Sequence, residues 1–202
     1  GALGKAQEVF DELPVQDVAT WNALIDGYVE HAQSEEALNI FKKMQGEGLP
    51  PPNEVTYICS LKACGNIGSL SKGEEIHSEI IRRGLLKKNI VLGNTLVDMY
   101  AKCGMLAKAK QVFERLPVRD GFAWGALIGG YVEHGHGEDA IKCFERFRSE
   151  GISPNAFLLV YIMKACGMIG ASEKVNEIHA DIENQGLLEK DLVIGNTLLD
   201  IY

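Results

Sequence analysis

The feature that most constrains this chain is an echo. Gly93 to Tyr100 reads Gly-Asn-Thr-Leu-Val-Asp-Met-Tyr, and Gly195 to Tyr202 reads Gly-Asn-Thr-Leu-Leu-Asp-Ile-Tyr, at an offset of 102 residues. Lys62-Ala-Cys-Gly65 and Lys164-Ala-Cys-Gly167 share that offset of 102. Trp21-Asn-Ala-Leu-Ile-Asp-Gly-Tyr-Val-Glu-His31 returns as Trp124-Gly-Ala-Leu-Ile-Gly-Gly-Tyr-Val-Glu-His134. Self-similarity over such distances is the signature of repeat architecture, in which each unit buries its apolar face only by stacking on its neighbours.

Within the echo lie shorter units. The chain divides at 1–17, 18–53, 54–89, 90–120, 121–155, 156–191 and 192–202. The complete units hold 36, 36, 31, 35 and 36 residues. Each reads as two amphipathic helices, with apolar residues three and four apart. The spacing of Trp21, Leu24, Ile25 and Tyr28 predicts a first helix over about Thr20 to His31, and Ala37, Leu38, Phe41 and Met44 predict a second. Ser34 suits the N-cap of that second helix. Tyr57, Ile58, Leu61 and Cys64 mark the next first helix, with Gly65 and Gly68 as breakers, Ser69 or Ser71 as the following cap, and Ile76, Ile80 and Ile81 beyond. No segment shows strand-like alternation between hairpin turns. The expected fold is all-α, a right-handed α-solenoid superhelix of helix-turn-helix units. Unpartnered apolar helix faces at both ends predict weak end-to-end self-association.

Bulk properties exclude several classes. The formal charge of −8 argues against tight, sequence-blind binding of nucleic acid. No apolar run is long enough to span a membrane. No secretory signal or transit peptide is visible at Gly1, and a chain starting in mid-motif says nothing of its address. Five cysteines without a Cys-x-x-Cys do not suggest a disulfide framework or a zinc ribbon; Cys64 and Cys166 read as small core residues. His77-Ser-Glu79 and His136-Gly-Glu138 match the first half of a zinc deaminase signature, but Pro-Cys-x-x-Cys is missing. No catalytic residue, metal ligand or cofactor is expected.

Trp21-Asn-Ala-Leu-Ile-x-Gly-Tyr, Lys62-Ala-Cys-Gly, Glu75-Ile-His77, Val97-Asp-Met-Tyr-Ala-Lys-Cys-Gly104, Val112-Phe113 and Leu116-Pro-Val-Arg-Asp120 together resemble plant pentatricopeptide repeat proteins of the PLS subclass. The resemblance covers the whole chain. It implies a register of half an S repeat (1–17), P (18–53), L (54–89), S (90–120), P (121–155), L (156–191) and the start of another S (192–202). It further implies binding of single-stranded organelle RNA at about one base per repeat, in the mitochondrion or alternatively the chloroplast, as part of a cytidine-to-uridine editing factor. Any deaminase domain would follow the repeats. A protein-docking scaffold is the competing reading, and L repeats suit accessory editing proteins.

In that family the fifth and last residues of a unit select the base, and the second stacks on it. Carried over, the base-selecting pairs are Asn22 with Asn53, Asn94 with Asp120, and Gly125 with Asn155; Asp17 and Asn196 have partners outside the chain. The L-repeat equivalents are Ile58 with Asn89 and Val160 with Asp191. Asn94 with Asp120 suggests uracil and Asn22 with Asn53 a pyrimidine. Gly125 offers no side-chain hydrogen bond, so its repeat is expected to be weak or indifferent. The stacking residues are Ala19, Val55, Val91, Phe122, Phe157 and Val193. Lys62, Lys102 and Lys164 are candidates for phosphate, whereas Glu30 and Glu133 would repel it, so weak RNA affinity is expected. An Asn near a helix start, such as Asn94, also fits a plain N-cap.

Overall fold

The computed structural model describes residues 2–46, 48–87, 89–184, 186 and 192–201. Among these, every regular element is helical, and the chain divides into two compact units, 1–117 and 118–202. The first unit holds α1 (Ala2–Glu12), α2 (Val18–Glu30), α3 (Ser34–Met44), α4 (Glu54–Asn66), α5 (Leu70–Arg82), a 3-10 turn at Leu85–Lys87, α6 (Ile90–Lys102) and α7 (Leu106–Arg115). The second holds α8 (Gly121–Glu133), α9 (Gly137–Ser149), α10 (Ala156–Ile169), α11 (Ser172–Asn184) and α12 (Leu192–Ile201).

The apolar pattern explains the packing. In the first unit α2, α4 and α6 lie side by side; in the second, α8, α10 and α12 do so. α2, α4, α6, α8 and α10 each pack on a neighbouring first helix and on their hairpin mates, so they bury wide faces. In α6, Leu92, Leu96, Val97, Met99, Tyr100 and Ala101 are all buried. The second helix of each hairpin buries only a stripe, such as Ala109, Val112 and Phe113 in α7. Ile81, grouped with Ile76 and Ile80 by sequence, is 58% exposed and off that stripe.

Each hairpin turns through a left-handed residue. Ala32, Gly68, Gly104, Gly135 and Gly170 have φ of 58°, 65°, 74°, 79° and 67°. The next residue's N–H then bonds five residues back, as Gln33 to Tyr28 (2.9 Å), Ser69 to Cys64 (2.8 Å), Met105 to Tyr100 (2.9 Å) and His136 to Tyr131 (2.8 Å). This satisfies carbonyls that the helix end leaves open. Gly65 does not break its helix: it lies inside α4, where a Cβ would stand 3.4 Å from the Met99 Cα.

The expected cap at Ser34 is corrected. Ser34 is the first residue of α3, Gln33 is the N-cap, and no side chain caps that helix. The Ser34 hydroxyl instead accepts from Asn66 Nδ2 at 3.3 Å. Ser69 is the N-cap of α5 but makes no capping bond. A turn that ends on a left-handed residue leads straight into the second helix, leaving the side chain no extended residue from which to reach back.

Candidate functional site

First helices start differently, and there the expected site residues gather. Asp17, Asn53, Asn89, Asp120 and Asn155 are the N-caps of α2, α4, α6, α8 and α10. Each holds an extended backbone and turns its side-chain oxygen onto the helix's free N–H groups. Asp17 accepts from Thr20 N at 2.9 Å, Asn89 from Leu92 N at 3.0 Å, and Asn155 from Leu158 N at 2.9 Å. Asp120 takes both Phe122 N (3.1 Å) and Ala123 N (3.0 Å). Such caps are worth about 1 kcal/mol each. The residues expected to select bases at unit ends therefore also start the next helix, with one oxygen already committed.

Asn94 is not an N-cap. Asn89 caps α6, and Asn94 lies inside the helix, half-buried, one turn along. Asn196 sits at the matching place in α12 and is exposed.

Around Asn22 the expected pair is brought together. Asn22 Nδ2 donates to Asn53 Oδ1 at 3.1 Å. Thr56 completes the cluster: its N–H donates to Asn53 Oδ1 (3.1 Å), its hydroxyl accepts from Asn53 N (3.1 Å), and its Oγ1 lies 2.6 Å from Asn22 Oδ1. Asn22 is 8% exposed and Thr56 fully buried. Sequence reasoning missed Thr56, because its partner lies in the preceding hairpin.

Gly125 leaves open ground. A Cβ there would meet nothing within 4 Å. Ile58 and Val160 are half-buried. Asp191 and the Val193 side chain lie outside the described residues.

The expected stacking residues share one property. Phe122 is 79% exposed, Phe157 72%, Val91 58% and Val55 49%. Ala19 is exposed as well. Each is the second residue of a first helix, three before the fifth residue, so the two share a helix face. These side chains therefore add little to the buried core. The Phe157 ring meets Tyr161 edge to face at 5.4 Å, while the Tyr161 ring lies against Gly129 and its hydroxyl donates to Glu133 Oε1 at 3.3 Å. Tyr161 was not visible as a site residue from sequence, since its position depends on the room that Gly129 leaves.

Two of the three candidate lysines lie beside counter-charges. Lys62 lies 3.9 Å from Asp26 and 3.8 Å from Glu30, and Lys102 pairs with Asp98 at 2.8 Å. Lys164 is exposed. Glu30 therefore balances Lys62 instead of standing as a lone repulsive charge.

Residues with nucleophilic or metal-binding chemistry are engaged in packing. Burial, with the Asp26 carboxylate beside Cys59, pushes the Cys59 thiol up to about 12; burial does the same to Cys64. His77 Nδ1 lies 2.8 Å from the Tyr100 hydroxyl, and burial lowers its pKa. Glu79 is bound by Arg82 and Arg83, which hold its carboxyl down at about 2. Among the described residues no cluster of three His, Cys, Asp or Glu is placed to hold a metal ion.

Comparison with known proteins fits this geometry. The PPR repeat family matches residues 16–85, and the PPR repeat matches 94–120 and 122–152. A pentatricopeptide repeat-containing protein of Arabidopsis thaliana is 36% identical over 203 residues, covering 100% of this chain and 35% of its own length. The chain thus spans about a third of the curated relatives it matches. The crystal structure of the pentatricopeptide repeat protein PPR10 from maize is similar at a TM-score of 0.71 and 24% identity, covering 98% of this chain and 29% of that one. PPR10 in complex with an 18-nt psaJ RNA element is similar at a TM-score of 0.72 and 18% identity, covering 88% of this chain and 27% of that one. These likenesses show the all-α helical-repeat solenoid fold. With helical hairpins throughout, repeat matches along most of its length and relatives of the same description, the chain belongs to the pentatricopeptide repeat family.

Proposed function

We propose that this chain binds single-stranded RNA in a sequence-dependent way, at about one base per hairpin. The observation that carries the reading is the row of exposed apolar side chains at the second position of the first helices, Phe122 and Phe157 above all. Every base has a face that stacks on such a ring. The side chains one turn along, Asn22 and Asn94, supply a donor and an acceptor for a base edge. The neighbour solved with an RNA element supports the same direction.

The finer reading is that of an organelle editing factor of the PLS subclass. It is supported by unit lengths of 36, 36, 31, 35 and 36 and by the motifs that accompany them. Within it the chain recognises the transcript, in the mitochondrion or the chloroplast, and deamination is supplied by other residues. Ion pairing of Lys62 and Lys102 favours weak affinity. A second reading rests on Ile58 and Val160, apolar where a base reader needs polarity: α4 and α10 would then hold an accessory protein. The exposed apolar faces at Val9 of α1 (60%) and Leu199 of α12 (79%) support weak self-association.

The test is competition binding with short single-stranded RNAs, before and after Phe122→Ala and Phe157→Ala. Stacking of about 1–3 kcal/mol per base predicts a loss of roughly tenfold or more for each, with an unchanged melting temperature. Unchanged RNA affinity in both variants, with an accessory protein still bound, would favour the docking reading.

A further inference from the structure

We propose that Thr56 is a specificity-determining positioning residue for the base that meets Asn22. Its hydroxyl fixes the Asn22 carboxamide in one orientation, so that the hairpin offers a pyrimidine one order of donor and acceptor. The inference rests on the RNA reading of Asn22 and Asn53 given above.

The hydrogen-bond inventory leads there directly. Asn53 Oδ1 accepts from Thr56 N at 3.1 Å and from Asn22 Nδ2 at 3.1 Å, which fills its two lone pairs. The Asn53 N–H donates to Thr56 Oγ1 at 3.1 Å. The hydroxyl proton of Thr56 then has Asn22 Oδ1 as its nearest acceptor, at 2.6 Å against 3.0 Å for the already filled Asn53 Oδ1. Flipping the Asn22 amide would set two carbonyl oxygens against each other and leave the Thr56 hydroxyl facing an NH₂ group. Thr56 is fully buried, so water has little room to repair the loss at its hydroxyl.

The locked amide retains one N–H and one oxygen lone pair for a ligand. Uracil presents a ring N–H beside a carbonyl; cytosine reverses that order with a ring nitrogen beside an amino group. An amide held one way round distinguishes the two, whereas one free to flip does not. No other described first helix repeats the device. Thr20, at the same place in α2, turns its hydroxyl to the Asp17 carbonyl at 2.8 Å. Leu92, Ala123 and Leu158 hold that place in α6, α8 and α10 and have no hydroxyl.

Two measurements on the 202-residue chain test the proposal, each with Thr56→Val and Thr56→Ser and with melting curves to establish folding. The first is nitrogen-15 NMR of the Asn22 side-chain amide without RNA. Its protons are expected to exchange slowly in the wild type and the Ser variant and fast in the Val variant; equal protection in a folded Val variant overturns the locking. The second is competition binding with short oligouridines carrying one cytidine at successive positions. At a single position the wild type should discriminate uridine from cytidine, and that discrimination should shrink about fivefold in the Val variant, the worth of one ordinary hydrogen bond, and return in the Ser variant. A folded Val variant that keeps the wild-type ratio overturns the specificity role. A wild type that is locked by NMR but indifferent to the position of the cytidine overturns base reading itself, and the role of Thr56 in it.

Discussion

Asn22 and Asn53, 31 residues apart, are joined side chain to side chain by a 3.1 Å hydrogen bond. One amide thus ties the interior of α2 to the start of α4. Asn53 also caps α4 through Thr56 N. Asn53→Ala removes both functions, and the expected loss is about 1–3 kcal/mol, a cap together with a buried hydrogen bond. Asn53→Asp keeps an oxygen where Oδ1 accepts both bonds and should lose much less. Urea denaturation of the two variants checks this; equal losses would mean that the bonds accepted by Asn53 Oδ1 do not carry the stability assigned to them.

Ala32 and Gly135 occupy the same place in two hairpin turns. Both are left-handed, at φ 58° and 79°, but only one is glycine. An L-residue with a Cβ pays about 1–2 kcal/mol for that conformation. Ala32→Gly should therefore stabilise the chain by up to about 1 kcal/mol, part of the gain being returned as unfolded-chain entropy. Gly135→Ala should destabilise it by a similar amount. Calorimetry of the pair decides, and a fall in melting temperature for Ala32→Gly would sink the argument.

The pH dependence of stability should carry the mark of His77. Burial lowers its pKa, with the charges of Lys108 and Arg115 acting in the same direction and Glu74 against. The unfolded chain then binds the proton more readily than the folded one. Its contribution is fully present above the unfolded value of about 6.5 and is lost as pH falls through the lower folded value. Glu79, held down to about 2 by Arg82 and Arg83, adds a second loss at lower pH, below its usual carboxylate range. His77→Gln should flatten the first limb, just below about pH 6.5, and leave the second. Melting temperatures across pH separate the two limbs.

Much of this was readable in the residues, for reasons that differ by place. The first helices start at Val18, Glu54, Ile90, Gly121 and Ala156 because an Asp or Asn whose side-chain oxygen caps the helix stands just before each. Capping is a local effect, and local effects survive in a single sequence. Ser34 was misjudged because a good capping residue was not enough: the turn before it fixed the backbone first. Thr56 was hidden for another reason. Its partner lies 34 residues away, and a period read within one unit does not reveal a bond between two. The ion pairs of Lys62 with α2 were hidden in the same way, and they make this candidate phosphate contact a link between hairpins as well.

Gly125 offers the last test, because it separates what the fold needs from what recognition needs. It stands where Asn22 stands in the earlier hairpin, yet a Cβ placed on it meets nothing within 4 Å. The backbone is ordinary helix, so no strain opposes a side chain. Glycine inside a helix costs about 1 kcal/mol against alanine, and asparagine costs less than glycine. Gly125→Asn should leave stability unchanged or raise it by a few tenths of a kcal/mol. On the proposed reading it should also give this hairpin a base preference it lacks, seen as a change in affinity when one position of a bound RNA is varied. Gly125→Ala is the control: it makes the same helix gain and adds no hydrogen-bonding group. If the Asn variant and the Ala variant bind every RNA alike, the fifth position of α8 does not face a base.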